Sequence, residues 1–259
     1  MTRLVAVALL LVLTGPAVRS AQGGPVVEVA AAADTRFAVD ELAAQFMRRQ
    51  GVQVQITYGS SGQLATQIEQ GAPFDLFFSA DEQLIRHLSA KGLIAEQTEQ
   101  IYGIGRIVLW VRNGSPIDPQ HGLRVLTDDR IRFIAIANPE HAPYGRAAAQ
   151  ALRASGLWDV VHGKLVLAEN ISQALQFART GNADVGIIAL SLAVAPPIQP
   201  TGRYWLIAAS LHDPLRQAAG VVARSPRLEQ AKAFLAFVTG PEGRQVLRRY
   251  GFVLPGESQ

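Results

Sequence analysis

The sequence contains no cysteine in its 259 residues. This absence excludes disulfide bonds, thiolate metal sites and an N-terminal lipid-modified cysteine. The five histidines show no metal-type pairing at helical spacing and no H-E-x-x-H pattern. We therefore expect no resident metal and no cofactor.

Long hydrophobic runs are also absent, since the longest, Leu4–Leu13, has ten residues. A membrane-spanning helix needs roughly 20. Arg3 precedes this run, and Gly15, Pro16 and a stretch of small residues follow it. These features predict a signal peptide over residues 1–20, cleaved just after Ser20 or Ala21. The mature chain is expected to be exported and soluble, with a retained N-terminal anchor as the alternative.

Excess charge of one sign is missing as well. The formal net charge is +3, from 24 basic and 21 acidic residues, but Arg3 and Arg19 lie in the predicted signal peptide. Removing them leaves 22 basic against 21 acidic residues. Neither a charged run nor a basic and aromatic stripe is present, so nucleic acid is not an expected partner.

The most informative segment that is present runs from Tyr58 to Ala80. Its small turn, Gly59–Gly62, leads into an apolar stripe of helical spacing that ends near Gly71, and Phe74–Phe78 has the composition of a buried strand. Exposed backbone N–H groups at a helix start bind anions without a cationic side chain. The segment thus predicts a recognition loop for a small oxyanion, although an ordinary serine N-cap explains the same turn.

Strands and helices alternate along the mature chain, which predicts an α/β fold with parallel sheets covered by helices on both faces. The alternation breaks around residues 103–116 and then resumes. Two doubly wound lobes explain this better than one sheet. We predict lobe 1 from residues 21–105 and 217–259, and lobe 2 from residues 106–216, with Ile104–Val111 and Gly220–Ala223 as strands.

Four turns are predicted to meet in one region, because ligands of open α/β sheets bind at the carboxyl ends of the strands. The turns lie just before predicted helices, at Ala33–Asp34, Ser60–Ser61, Pro143–Tyr144 and Asn170–Ile171. Helix N-termini converging on a cleft would neutralise a dianion through peptide dipoles and N–H donors.

Four segments together resemble the periplasmic molybdate-binding proteins of ABC importers, members of the two-lobed solute-binding superfamily (type II periplasmic binding fold). They are YGSSGQLATQIEQGAPFDLFFSAD (58–81), IANPEHAPYGRAAAQAL (136–152), AENISQAL (168–175) and PEGRQVLRRYGF (241–252). The resemblance covers nearly all of the mature chain. It implies a non-enzymatic, monomeric periplasmic carrier that binds molybdate or tungstate and delivers it to an inner-membrane ABC permease.

The resemblance also implies the ligand-binding residues. Serine hydroxyls fall on Ser61, with Ser60 beside it, and backbone N–H donors fall on Tyr144 and Ile171. Molybdenum would be held only as the oxyanion, with no residue bound directly to the metal. A hinge is implied near residues 103–108 and 220–223.

Two positions depart from the family pattern. Ala33 or Asp34 takes the place of a serine in the first turn, and Ala189 aligns near a tyrosine, so that hydroxyl is missing. A carboxylate facing a dianion would repel it unless Asp34 is protonated or paired, and Arg36 is the nearest candidate partner. Alternatively, Asp34 caps the first helix and points away. The Tyr144 hydroxyl is a candidate substitute for the missing one.

Two other functions stay open from the residues alone. The same carrier fold would also suit another oxyanion, a ferric–anion complex or a small organic acid. An exported hydrolase is the second alternative, but the sequence shows no G-x-S-x-G elbow and no histidine that pairs recognisably with a serine.

Overall fold

The computed structural model describes residues 26–257, and the predicted signal peptide lies outside them. Ten strands are present in this part of the chain: β1 (Val26–Ala32), β2 (Gln53–Gly59), β3 (Leu76–Ser79), β4 (Gln100–Gly105), β5 (Ile107–Arg112), β6 (Ile134–Ala137), β7 (Leu165–Ala168), β8 (Val185–Ala189), β9 (Gly202–Leu206) and β10 (Leu215–Val221).

Nine α-helices connect or follow these strands: α1 (Arg36–Gln50), α2 (Ser61–Glu69), α3 (Glu82–Ala90), α4 (Pro143–Ala154), α5 (Trp158–Val161), α6 (Ile171–Thr180), α7 (Leu190–Ala193), α8 (Leu228–Thr239) and α9 (Pro241–Arg249). Short 3-10 helices lie at Ala33–Thr35, Pro119–Thr127, His162–Lys164, Gln199–Thr201 and Ala209–Leu211. None of the helices within residues 26–257 combines the length and apolarity needed to cross a bilayer.

The strands form two five-stranded sheets, one in each lobe. Their orders are β2-β1-β3-β10-β4 and β7-β6-β8-β5-β9. In the first sheet β1 is parallel to β2 and β3, whereas β10 is antiparallel to β3 and β4. In the second, β6 is parallel to β7 and β8, whereas β5 is antiparallel to β8 and β9. The two-lobed α/β fold is confirmed, but both sheets are mixed rather than parallel.

The chain crosses between the lobes at two places. The first crossing is at Arg106, between β4 and β5, so the single strand predicted over 104–111 is wrong. The second is the segment 207–214, between β9 and β10. The implied hinge at Gly220–Ala223 is therefore misplaced, because Gly220 pairs with Phe77 inside the first sheet. The predicted lobe limit between 216 and 217 falls two residues inside β10.

Sequence pattern explains why these elements form. The central strands β3 and β8 are buried along their whole length, as expected for continuous apolar runs covered on both faces. Helix α1 buries Leu42 and Phe46 and ends at Gly51, whose φ of 67° is left-handed and suits glycine. The C-terminal α8 returns to lobe 1, where Phe234 packs on Phe46 with ring centroids 5.1 Å apart.

A buried carboxylate fixes the start of β3 to the loop before α8. Asp75 is fully buried, and its oxygens accept hydrogen bonds from the backbone N–H of Glu28 at 2.7 Å and the Ser225 hydroxyl at 2.6 Å. The Arg227 guanidinium donates a further bond at 2.8 Å.

We expect Asp75→Ala to lower the free energy of unfolding by about 2 kcal/mol, because it leaves a partly buried guanidinium and two donors unpaired. The measurement is urea unfolding followed by circular dichroism. Glu229→Ala is the matched control, since Glu229 pairs with Lys232 while 81% exposed, and should change stability by less than about 0.5 kcal/mol. Equal stability losses in the two variants would contradict the role of Asp75.

Candidate functional site

A small cavity lies between the lobes at the carboxyl ends of β1, β2 and β3. Its accessible volume is only about 10 Å³, far below the roughly 300–1,000 Å³ typical of organic ligand pockets. The size favours an inorganic ion. It is lined by Ala32, Ala33, Asp34, Gly59, Ser60, Ser61, Ala80, Ala142, Pro143, Tyr144 and Ile171, so all five predicted binding residues lie around it.

Helix α2 presents its N-terminus to this cavity. Ser61 is its first residue and is fully buried, and its Oγ accepts a hydrogen bond from the Ala80 backbone N–H at 2.9 Å. Among residues 26–257 no acceptor takes the Ser61 hydroxyl hydrogen, so this group is free to donate into the cavity. The Ser61 backbone N–H belongs to the first helical turn, which has no intrahelical acceptor.

Ser60 lies at the same helix start but is already engaged. Its Oγ is 2.8 Å from His141 Nδ1 and 3.0 Å from Gln63 Oε1. His141 belongs to lobe 2, so this contact crosses the cleft. This Ser–His contact could not be predicted from sequence, because the two residues are 81 positions apart.

Two helices of lobe 2 also begin at the cavity. Tyr144 is the second residue of α4 and Ile171 the first residue of α6, and both are buried. The Asn170 side chain accepts hydrogen bonds from the N–H groups of Ser172 and Gln173. The Ile171 N–H is therefore left for a ligand, as the Tyr144 N–H is by its place in the first turn.

Asp34 faces the cleft rather than capping a helix. The 3-10 helix and α1 have Ala32 and Thr35 at their N-caps, neither with a side-chain bond. Asp34 Oδ2 instead accepts hydrogen bonds from the Tyr144 hydroxyl at 2.9 Å and Gln217 Nε2 at 2.8 Å. The alternative that Asp34 caps the first helix is thus wrong. Pairing of Asp34 with Arg36 is also wrong, because the Arg36 guanidinium carbon lies over the Tyr58 ring, 4.6 Å from its centroid.

This buried network includes residues that the sequence did not single out. Gln217 Nε2 also donates to the Tyr144 hydroxyl at 2.9 Å, and the Tyr102 hydroxyl donates to Gln217 Oε1 at 2.6 Å. The Tyr144 hydroxyl donates to Asp34, so its hydrogen does not replace the donor missing at Ala189. A Cβ at Gly105 would overlap the Tyr144 hydroxyl, which explains the glycine there.

Burial raises the pKa of Asp34 to about 7. Hydrogen bonds from Gln217, Tyr144 and the residue's own backbone act in the opposite direction but do not offset the desolvation. Burial, with the Asp34 charge adding to it, also raises the pKa of Tyr144, which stays a neutral donor.

Several hydrogen bonds join the lobes around the cavity, so the protein is in a closed arrangement. The Gly62 N–H donates to the His141 carbonyl at 3.0 Å, and Gln63 Nε2 donates to Glu169 at 2.6 Å. Ser172 Oγ donates to the Ala33 carbonyl and Ser191 Oγ to the Asp34 carbonyl, and Arg146 forms an ion pair with Asp81.

No basic side chain lines the cavity, and its one carboxyl group is that of Asp34. Three helix N-termini meet there, each equivalent to about half a positive charge. In the described part of the chain no three His, Asp or Glu residues are grouped for metal binding. The arrangement can hold a small anion through neutral hydroxyl and peptide donors.

Comparison with known proteins agrees with this geometry. The model of a family described as bacterial extracellular solute-binding protein matches residues 27–253. The chain belongs to this family.

Members of this solute-binding family that resemble the chain include two named molybdate-binding protein ModA. The one from Rhodobacter capsulatus is 36% identical over 90% of both chains, and the one from Azotobacter vinelandii is 34% identical over 88% of this chain and 90% of its own. The solved periplasmic molybdate-binding protein of Azotobacter vinelandii superposes with a TM-score of 0.83 at 33% identity, covering 88% of this chain and 99% of that one. The resemblance read from the sequence is confirmed.

We expect Gly62→Ala to hinder lobe closure without unfolding the protein. The new Cβ would lie 2.6 Å from the His141 carbonyl oxygen across the cleft. Alanine is also the better helix former by about 1 kcal/mol, so α2 itself should not weaken. Small-angle scattering should show a larger radius of gyration for the variant than for the parent at saturating anion.

Gly163→Ala is the control, because a Cβ there meets nothing within 4 Å. If the Gly62 variant closes as fully as this control, the cross-lobe contact at Gly62 does not limit closure.

Proposed function

We propose that this protein captures molybdate or tungstate between its lobes and delivers it to an ABC permease. The observation that carries the proposal is the convergence of Ser61 and the N-termini of α2, α4 and α6 on one small cavity with no basic residue in its lining. The molybdate-binding names of relatives aligned over about 90% of the chain support the choice of anion.

Each of the five predicted binding residues has a role in the proposed site. Ser61 contributes its hydroxyl and N–H, and Tyr144 and Ile171 contribute backbone N–H groups. Ser60 adds an N-cap position beside them, and Asp34 closes the cavity from the first turn. The three helix ends together supply roughly 1.5 units of positive charge, close to what a dianion needs. Selectivity over sulfate would come from cavity size, since charge and shape are shared.

The transport role extends this to location and partners. The mature chain would act as a monomer in the periplasm, after removal of residues 1–20. Lobe 1 would comprise residues 21–105 and 217–259, and lobe 2 residues 106–216. Closure on the anion would be a hinge motion at the two crossings between the sheets.

The Ser60–His141 contact also fits the distance expected between a nucleophile and its base. Three features favour a structural contact between the lobes over a catalytic pair. The contact joins the two lobes, Ser60 also bonds Gln63, and the cavity beside it is too small for an organic ester. Hydrolysis of p-nitrophenyl acetate by the protein, abolished in Ser60→Ala, would restore the hydrolase alternative.

Isothermal titration of the mature protein against molybdate, tungstate, sulfate, phosphate and ferric citrate tests the function. We expect one site that binds molybdate and tungstate more tightly than the other three. Tighter binding of sulfate, phosphate or ferric citrate would assign the carrier to that ligand instead.

We expect Ser61→Ala to weaken molybdate binding about 10- to 100-fold, the effect of losing one hydrogen bond to a charged group. Ser60→Ala should cost less, because its hydroxyl is shared with His141 and Gln63. Thr66→Ala, an exposed change on the same helix, is the control and should bind like the parent. Unchanged affinity in Ser61→Ala would contradict the site.

A further inference from the structure

One carboxylate oxygen of a residue that lines the cavity has no hydrogen-bond partner. Among residues 26–257 three buried side-chain atoms lack a hydrogen bond: Asp34 Oδ1, Arg106 Nε and His212 Nε2. Asp34 is the one of these residues that lines the cavity, and it is only 1% exposed. A buried polar atom without a partner in a ligand cavity indicates that the ligand supplies the partner.

The network around Asp34 determines which oxygen would carry a proton. Gln217 Nε2 can only donate, and the Tyr102 hydroxyl bonded to Oε1 fixes the orientation of the amide. Oδ2 must therefore accept, from Gln217 and from the Tyr144 hydroxyl. In a neutral Asp34 the proton sits on Oδ1, the oxygen that lacks a partner.

An oxyanion offers acceptors only, so an ionised Oδ1 would meet it as one negative charge against another. A protonated Oδ1 meets the same oxyanion as a hydrogen-bond donor. Such charge-assisted O–H···O⁻ bonds are short and strong. The two protonation states of Asp34 thus have opposite effects on binding.

We propose that Asp34 binds the oxyanion in its neutral form, donating from Oδ1, so that capture of a dianion at alkaline pH takes up one proton. This inference rests on the proposed function and adds a proton requirement to the same site. Asp34 would thereby make the carrier bind its anion more weakly as the pH rises.

The surroundings of Asp34 support a neutral state. The groups that face it are neutral: the hydroxyls of Tyr144 on α4 and Tyr102 on β4, the amide of Gln217 on β10, and Ser191 on α7, which bonds the Asp34 carbonyl. No basic side chain among residues 26–257 forms an ion pair with Asp34. Burial accordingly raises its pKa to about 7.

The sign of the pH effect follows from linkage. In the closed, anion-free arrangement Asp34 is mostly protonated at pH values below its pKa of about 7, so binding there needs little proton uptake and affinity varies little with pH. A bound dianion raises the pKa of Asp34 further, so above pH 7 binding requires proton uptake. The dissociation constant should then increase by about tenfold per pH unit, while molybdate itself keeps two charges.

Calorimetry on the parent protein gives the direct test. Molybdate is titrated at about pH 8 in two buffers with different ionisation enthalpies, and the difference in heat gives the protons taken up. We expect uptake of about one proton per anion at this pH and none at about pH 6. Binding at both pH values without uptake at the higher one would overturn the proposal.

Variants assign the proton to its residue. Asp34→Asn keeps an acceptor for Gln217 and Tyr144 and a permanent donor towards the anion, so its affinity should no longer depend on pH and its proton uptake should vanish. His141→Asn should keep the pH dependence of the parent, because His141 contacts Ser60 and not Asp34. A pH dependence that survives in Asp34→Asn and disappears in His141→Asn would overturn the assignment.

Failure of the two proposals can be told apart. If molybdate does not bind but sulfate does, the proposed function fails, and proton uptake is then measured with sulfate. If molybdate binds without proton uptake, only the inference about Asp34 fails. If neither anion binds at about pH 6, where linkage predicts the full affinity, both fail.

Discussion

The proposed function sets one electrostatic constraint, that a small dianion is neutralised in a cavity with no basic side chain in its lining. Peptide dipoles meet this need only when several helix N-termini point at one place. In each lobe the parallel strands end on the same side, which places the starts of α2, α4 and α6 at a common edge. The β-α-β order of the chain is therefore what builds the anion site, before any particular side chain is considered.

Closure of the lobes would complete the proposed site, because its donors come from both lobes. The backbone at residue 62 lies close to the His141 backbone across the cleft. A side chain at this position would overlap the His141 carbonyl, which explains the glycine. Gly105 leaves room for the Tyr144 hydroxyl in the same way. Gly62 and Gly105 are explained by close contacts of the closed state. These contacts form only when the lobes are together.

Local rules were enough to predict much of this from the sequence. The turn before α2 and the starts of α4 and α6 each carry capping residues or a proline beside an apolar helical stripe, so these turns could be located. The family resemblance then implied Ser61, Tyr144 and Ile171 as binding residues. The direction of the strands and the hydrogen bonds of Asp34 could not be predicted in this way. Asp34 and Gln217 are 183 residues apart, and their contact exists only because β10 returns antiparallel into the first sheet. Arg106 interrupts the apolar run 104–111, which was predicted as one strand although the lobe limit was placed between residues 105 and 106.

An acidic residue in the proposed anion site would bind the anion less directly than a lysine or an arginine, and the interaction it makes would be of a different kind. A fixed cation attracts every anion over a long range, whereas a neutral carboxyl group donates one short hydrogen bond to an acceptor that fits against it. The Tyr102, Gln217 and Tyr144 chain fixes the direction of that donor by occupying Oδ2. Tyr144 belongs to lobe 2 and Gln217 to lobe 1. Both therefore contact Asp34 only when the lobes meet, so lobe closure would also orient the Asp34 carboxyl group.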